Sequence, residues 1–160
     1  MAELAPASEQ FPLEKIHAAH KQARLVTLAI ASTLPMYALV AELLMRSEHD
    51  VTPVTGNTTL RITFFALAGV FIFTATVVKG MLLRTAPATP EARLARLRGA
   101  SIVTAAFAEG PAVLGLALCI ITRQRSDFYI LLVVAAYLLV RHLPLQAAWE
   151  LYIRRGGDAR

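Results

Sequence analysis

The residue whose type and placement carry the most chemistry is Glu109, a carboxylate inside the apolar stretch Ala105-Ala106-Phe107-Ala108-Glu109-Gly110-Pro111-Ala112. An ionised side chain at the centre of a bilayer costs about 2.5–3.5 kcal/mol on insertion scales, so this carboxyl must be protonated, paired, or turned towards a polar interior. A group held that way can take up and release a proton or bind a small cation. Pro111 removes a backbone hydrogen bond to the turn holding Phe107, and Gly110 loosens the same turn, which leaves an accessible carbonyl beside the carboxyl. Pro35 is a second helix break, in the middle of an earlier apolar run. The plainer reading of Glu109 is a structural ion pair with Arg141 or His142, which a later helix brings to nearly the same depth. Both readings stay open at this point.

Other polar groups point to less. Glu14, His17 and His20 follow one another at intervals of three residues, a Glu-x-x-His spacing that ligates metals in helix bundles. Such sites need a second carboxylate and histidine set, and the sequence has none, so no metal is expected. Glu42 stands four residues before Arg46, the spacing of a surface pair on one helix. Lys79 sits where its stem can snorkel to the interface. The single cysteine, Cys119, lies in an apolar run, which excludes an intrachain disulfide. With no phosphate-binding glycine loop and no nucleophile beside a base, neither an enzyme nor a cofactor is expected.

The elements that must position Glu109 are long and apolar. Hydrophobic residues make up 56% of the chain and charged residues 17%, at a mean hydropathy of +0.55, which indicates an all-α integral membrane protein. Apolar runs bracketed by arginines place spans over about 24–46, 61–84 and 98–122, each near the ~20 residues that cross ~30 Å of hydrocarbon. A fourth, over about 127–153, starts with the run Phe128 to Val140 and continues its helical period past Arg141, His142 and Pro144, with Trp149 and Tyr152 at interfacial depth. The expected architecture is thus one bundle of four transmembrane helices over 24–153, with a polar loop from Ser47 to Thr59 and another from Thr85 to Arg98. Residues 1–23 form a short amphipathic segment along the interface, and 154–160 a tail.

The basic residues give the orientation. Lys15, Lys21, Arg24, Lys79, Arg84, Arg93, Arg96, Arg98, Arg141, Arg154, Arg155 and Arg160 fall on one side, against Arg46, Arg61, Arg123 and Arg125 on the other. That bias puts both termini in the cytoplasm, in a bacterial inner membrane or its organelle equivalent. The N-terminal stretch, with Glu3, Glu9 and two prolines before Leu13, lacks the apolar core of a secretory signal. The basic residues stand singly at the ends of apolar runs, a distribution that argues against nucleic acid.

At 100° per residue, Ser101, Ala105, Ala108, Ala112, Gly115 and Cys119 share a small-residue face of the third span, suited to close helix packing, with Glu109 at its edge. Ten residues from Gly99, Glu109 stands about 15 Å along the helix, near the bilayer midplane. A weak internal echo also exists: Thr27-Leu28-Ala29 through Pro35 aligns without gaps to Val103-Thr104-Ala105 through Pro111, with Thr33 in the place of Glu109.

From Lys79-Gly80 through Pro90-Glu91-Ala92-Arg93 to Ala108-Glu109 and Gly115-Leu116-Ala117-Leu118, about residues 62–122, the chain resembles the hairpin of the ATP synthase c subunit, the rotor-ring proteolipid. The resemblance implies that Glu109 binds and releases H⁺ or Na⁺, and that the chain takes part in ion translocation. The competing expectation is a non-catalytic accessory or assembly subunit of a membrane complex. In either case the partners are lipids and other membrane subunits, including further copies of the chain.

Overall fold

The computed structural model describes residues 13–47, 58–84, 87, 89–144 and 146–155. Its elements are all helices: α1 (Leu13–Ala31), α2 (Thr33–Ser47), α3 (Thr58–Arg84), α4 (Pro90–Thr122), α5 (Arg125–Arg141) and α6 (Gln146–Arg155). Most of the expected loop after Ser47, with Pro53, Gly56 and Asn57, lies outside the described residues, as do residues 1–12 and 156–160.

Three stretches are long and apolar enough to cross a membrane: Glu14–Arg46, Thr58–Arg84 and Pro90–Thr122. The first contains a break between α1 and α2 at Ser32, three residues before Pro35, whose ring clashes with the Ala31 carbonyl and which has no N–H to offer it. Side chains support the broken turn. Ser32 Oγ donates to the Ala29 carbonyl at 2.7 Å, and Thr33 Oγ1 reaches the Ile30 carbonyl at 2.6 Å.

The structure moves several boundaries. α4 starts at Pro90, so most of the expected loop up to Arg98 is helical. Thr89 caps it, with an extended backbone and its hydroxyl accepting from the Ala92 N–H at 3.3 Å, while Pro90 takes the first helical turn and Glu91 complements the dipole. The described part of the N-terminal segment is not a separate helix. From Leu13 it runs unbroken into α1, with Ile16 and Ala23 buried.

The expected single helix over 127–153 is two helices. α5 ends at Arg141, and Pro144 disfavours helical geometry in the residue before it and cannot donate in the ladder, so the chain turns and restarts as α6. Trp149 is therefore not an interfacial anchor. It is 3% exposed, packed with Ile153 against Ile16, Ala23 and Leu97, and so joins α6 to α1 and α4.

α4 is the centre of the fold, with α3 and α5 packed along it and the α1/α2 unit beside them. Interior contacts use small residues such as Ala68, Ala75, Ala108, Ala112 and Ala135, whereas Leu43, Val70, Phe73, Val133 and Val140 point outwards. This inversion of the usual soluble pattern suits helices solvated by lipid, which associate through close backbone approach. Gly115 is the tightest such approach to α5: a Cβ there would lie 3.0 Å from Leu131 Cβ and 3.3 Å from the Phe128 carbonyl oxygen. Gly115→Val is accordingly expected to lower stability by about 1–3 kcal/mol through overpacking, read as a lower unfolding midpoint in mild detergent. An unchanged midpoint would contradict this packing.

Candidate functional site

Glu109 is carried on the side of α4 that faces α2, where its Oε1 accepts hydrogen bonds from Thr33 Oγ1 and Tyr37 Oη, each at 2.6 Å. The two donors are four residues apart on α2, one helical turn, so they stack on one face. Along α4, Glu109 is about 16 Å from Arg98 and about 20 Å from Thr122, which places the carboxyl deep in the apolar zone. It is only partly buried.

The hydroxyl of Thr33 has one hydrogen and two oxygen neighbours at 2.6 Å, Glu109 Oε1 and the Ile30 carbonyl. That hydrogen can serve only one of them at a time. With Glu109 ionised, Thr33 and Tyr37 both donate to Oε1. With Oε1 protonated, the carboxyl O–H donates to Thr33 Oγ1, Thr33 donates to Ile30, and Tyr37 still donates to Oε1. Each protonation state thus has a complete set of hydrogen bonds on the same atoms, and the turn whose carbonyl takes the spare hydrogen is the one beside the break at Ser32.

The two basic residues considered as partners for Glu109 stand elsewhere. Among the described residues no Lys, Arg or His forms an ion pair with Glu109. Arg141 is exposed at the end of α5, and His142 caps that helix. The reason is angular: Glu109 and Gly115, the point where α5 touches α4, are about 120° apart around the α4 axis. Pro111 is buried and leaves α4 continuous, whereas Pro35 is exposed and accompanies the break between α1 and α2. Ser101, Ala105, Ala108, Ala112 and Gly115 are all buried, and Ser101 Oγ donates to the Leu97 carbonyl at 2.9 Å.

Glu42 does not form the pair with Arg46. It crosses to α5, accepting from Tyr129 Oη at 2.8 Å and lying 3.6 Å from Arg125. His17 and His20 serve the packing of α6: His20 Nε2 is 2.9 Å from the Pro144 carbonyl oxygen and its ring meets Trp149 edge-on, while His17 Nε2 is 3.1 Å from Gln146 Nε2. Among the described residues no three His, Cys, Asp or Glu side chains cluster as metal ligands.

Three contacts escaped the sequence reading. Thr33 had a signal, since the internal echo sets it at the position of Glu109, and two parallel spans of a duplication bring equivalent positions to one depth. Tyr37 had none beyond its place one turn further on. The third is an ion pair between Arg61 and Asp127, in which Nη2 donates to Oδ1 at 2.7 Å and Nε stands 2.7 Å from Oδ2 without hydrogen-bond geometry. Asp127 is 1% exposed, yet in the sequence it reads as an ordinary acidic residue in the first turn of a helix.

No known protein family, curated protein or solved structure matches the chain.

Proposed function

We propose that the chain is a four-span inner-membrane protein, with α5 as the fourth span and both termini cytoplasmic, in which Glu109 takes up and releases a proton or Na⁺ between α2 and α4. The observation that carries this reading is the pairing of Glu109 with two hydroxyls and, among the described residues, with no cation. An ion-paired carboxylate would be held in its charged form, whereas hydroxyl ligands complete its hydrogen bonding in either form. The apolar residues that α5 turns outwards, Ile130, Val133 and Val140 among them, support its place as a span, and its 17 residues are near the lower limit for crossing. The resemblance to the c subunit hairpin supports an ion-translocating role within an assembly of membrane subunits, further copies of the chain included.

The rival role, a carboxylate that only clamps α2 to α4 in an accessory subunit, is favoured by the same two hydrogen bonds, so the test must separate titration from clamping. Glu109→Gln keeps a carbonyl oxygen for Thr33 and Tyr37 but cannot exchange a proton. In proteoliposomes the wild-type chain, with whatever membrane subunits co-purify, is expected to carry proton or Na⁺ flux that Glu109→Gln abolishes. Unchanged flux in the folded variant would leave only the clamp.

A further inference from the structure

The packed faces of α3 and α5 each carry a basic residue towards the cytoplasmic side of the proposed topology, on α3 one turn before Leu83, which packs against the cluster around Trp149. On α3 the series is Ala68, Ile72, Ala75 and then Lys79; on α5 it is Ala135, Leu138, Leu139 and then His142. Contacts along α4 put the two ends level. The Phe71 ring lies over Gly110, so Lys79, eight residues further along an antiparallel helix, stands beside position 102. Leu131 touches Gly115, so His142, eleven residues on, stands beside position 104.

The α4 residue at this level is Thr104, 1% exposed, on the arc of α4 between its contacts with α3 and α5. Thr104 Oγ1 and His142 Nε2 are both buried without a hydrogen-bond partner. Lys79 is half-buried, and among the described residues no carboxylate pairs with it. The charges that act on the His142 ring are those of Lys79 and Arg141, both positive. An ammonium on α3, an imidazole nitrogen at the end of α5 and a hydroxyl on α4 thus stand at one level where these helices meet, with two of their polar atoms unsatisfied and, among the described residues, no carboxylate paired with the ammonium. Orphaned buried donors of this kind mark a missing partner.

We propose that this site binds a phosphate group, supplied by the headgroup of an anionic lipid in the cytoplasmic leaflet. A tetrahedral oxyanion has enough oxygens to accept from Lys79, His142 and Thr104 together, with Arg141 adding charge from the rim. The depth fits a headgroup, because α5 ends at Arg141 and the apolar run ends with it. It is distinct from the Glu109 site, about 10 Å nearer the cytoplasm and more than a quarter-turn away around α4.

The test uses the full chain, delipidated in mild detergent and titrated with dioctanoyl-phosphatidylglycerol, dioctanoyl-phosphatidylcholine and inorganic phosphate, with bound species counted by native mass spectrometry. Saturable binding of phosphatidylglycerol over phosphatidylcholine is expected, weakened about tenfold or more by Lys79→Met. Thr104→Val, close in volume, is expected to weaken it several-fold and serves as the second variant if Lys79→Met loses helicity. Arg84→Met, at an exposed position, should stay within about twofold of wild type. Competition by inorganic phosphate at similar concentration would assign the site to free phosphate rather than to lipid. Binding of phosphatidylglycerol no tighter than phosphatidylcholine with no uptake of phosphate, or undiminished binding in the folded variants, would overturn the proposal.

Discussion

Arg61→Met is expected to destabilise the protein by about 3 kcal/mol, because it strands the Asp127 carboxylate without the one cation that pairs with it among the described residues. Asp127 is 1% exposed, and both of its oxygens lie 2.7 Å from the Arg61 guanidinium, Oδ1 as a hydrogen-bond acceptor. The figure belongs at the lower end of the range for broken buried pairs, since the Arg61 side chain is 43% exposed and water can follow when it is removed. The pair ties the start of α3 to the start of α5. The same turn of α5 reaches α2 through Arg125 and Glu42, so one end each of α2, α3 and α5 depends on it. Arg61→Met combined with Asp127→Leu should recover most of the loss, because removing both charges leaves neither one buried alone. Unfolding midpoints of single and double variants in the same detergent check this, and equal losses in the two would show that the pair is not what matters.

Glu109 should separate stability from activity more sharply than any other position. Glu109→Gln is expected to leave the unfolding midpoint nearly unchanged while ion exchange is lost entirely, since the amide carbonyl still accepts from both hydroxyls. Glu109→Leu is expected to cost about 1–2 kcal/mol as well, because Tyr37 and Thr33 lose the acceptor that they share. Thr33 contributes less to that loss because its hydrogen can turn fully to the Ile30 carbonyl. Comparing the two variants by midpoint and by flux in one preparation tests both statements at once. A Gln variant as unstable as the Leu variant would mean that the carboxylate charge itself holds α2 on α4.

How much of this was legible in the sequence follows from which forces act locally. The apolar runs marked three spans because hydropathy is summed along a segment. The start of α4 was missed although its signals, Thr89, Pro90 and Glu91, are adjacent in sequence, because a polar stretch was read as loop while capping residues work equally well on a helix that projects into water. The split between α5 and α6 had its signal in Pro144, and hydrophobic period alone carried the expected helix across it.

The environment of Glu109 was legible only in part. Its depth and the small residues around it follow from spacing on one helix. Its partners depend on which helix lies on which side of α4, which spacing along one helix does not give, so Arg141 and His142 were the donors that charge and depth suggested. The packing of α2 against the Glu109 side of α4, through the buried Leu34 and its neighbours Ala105 and Ala108, decided for Tyr37 and Thr33. Asp127 was missed for the same reason, its partner lying on another helix.

The most direct test of the central claim is labelling of native membranes with dicyclohexylcarbodiimide, which reacts with protonated carboxyls in apolar surroundings, followed by mass mapping of the modified residue. Modification of Glu109 is expected, slowing as the pH is raised, with Na⁺ protecting the site if Na⁺ is the ion it carries. No modification of Glu109, or modification indifferent to both pH and Na⁺, would contradict an ion-exchanging role.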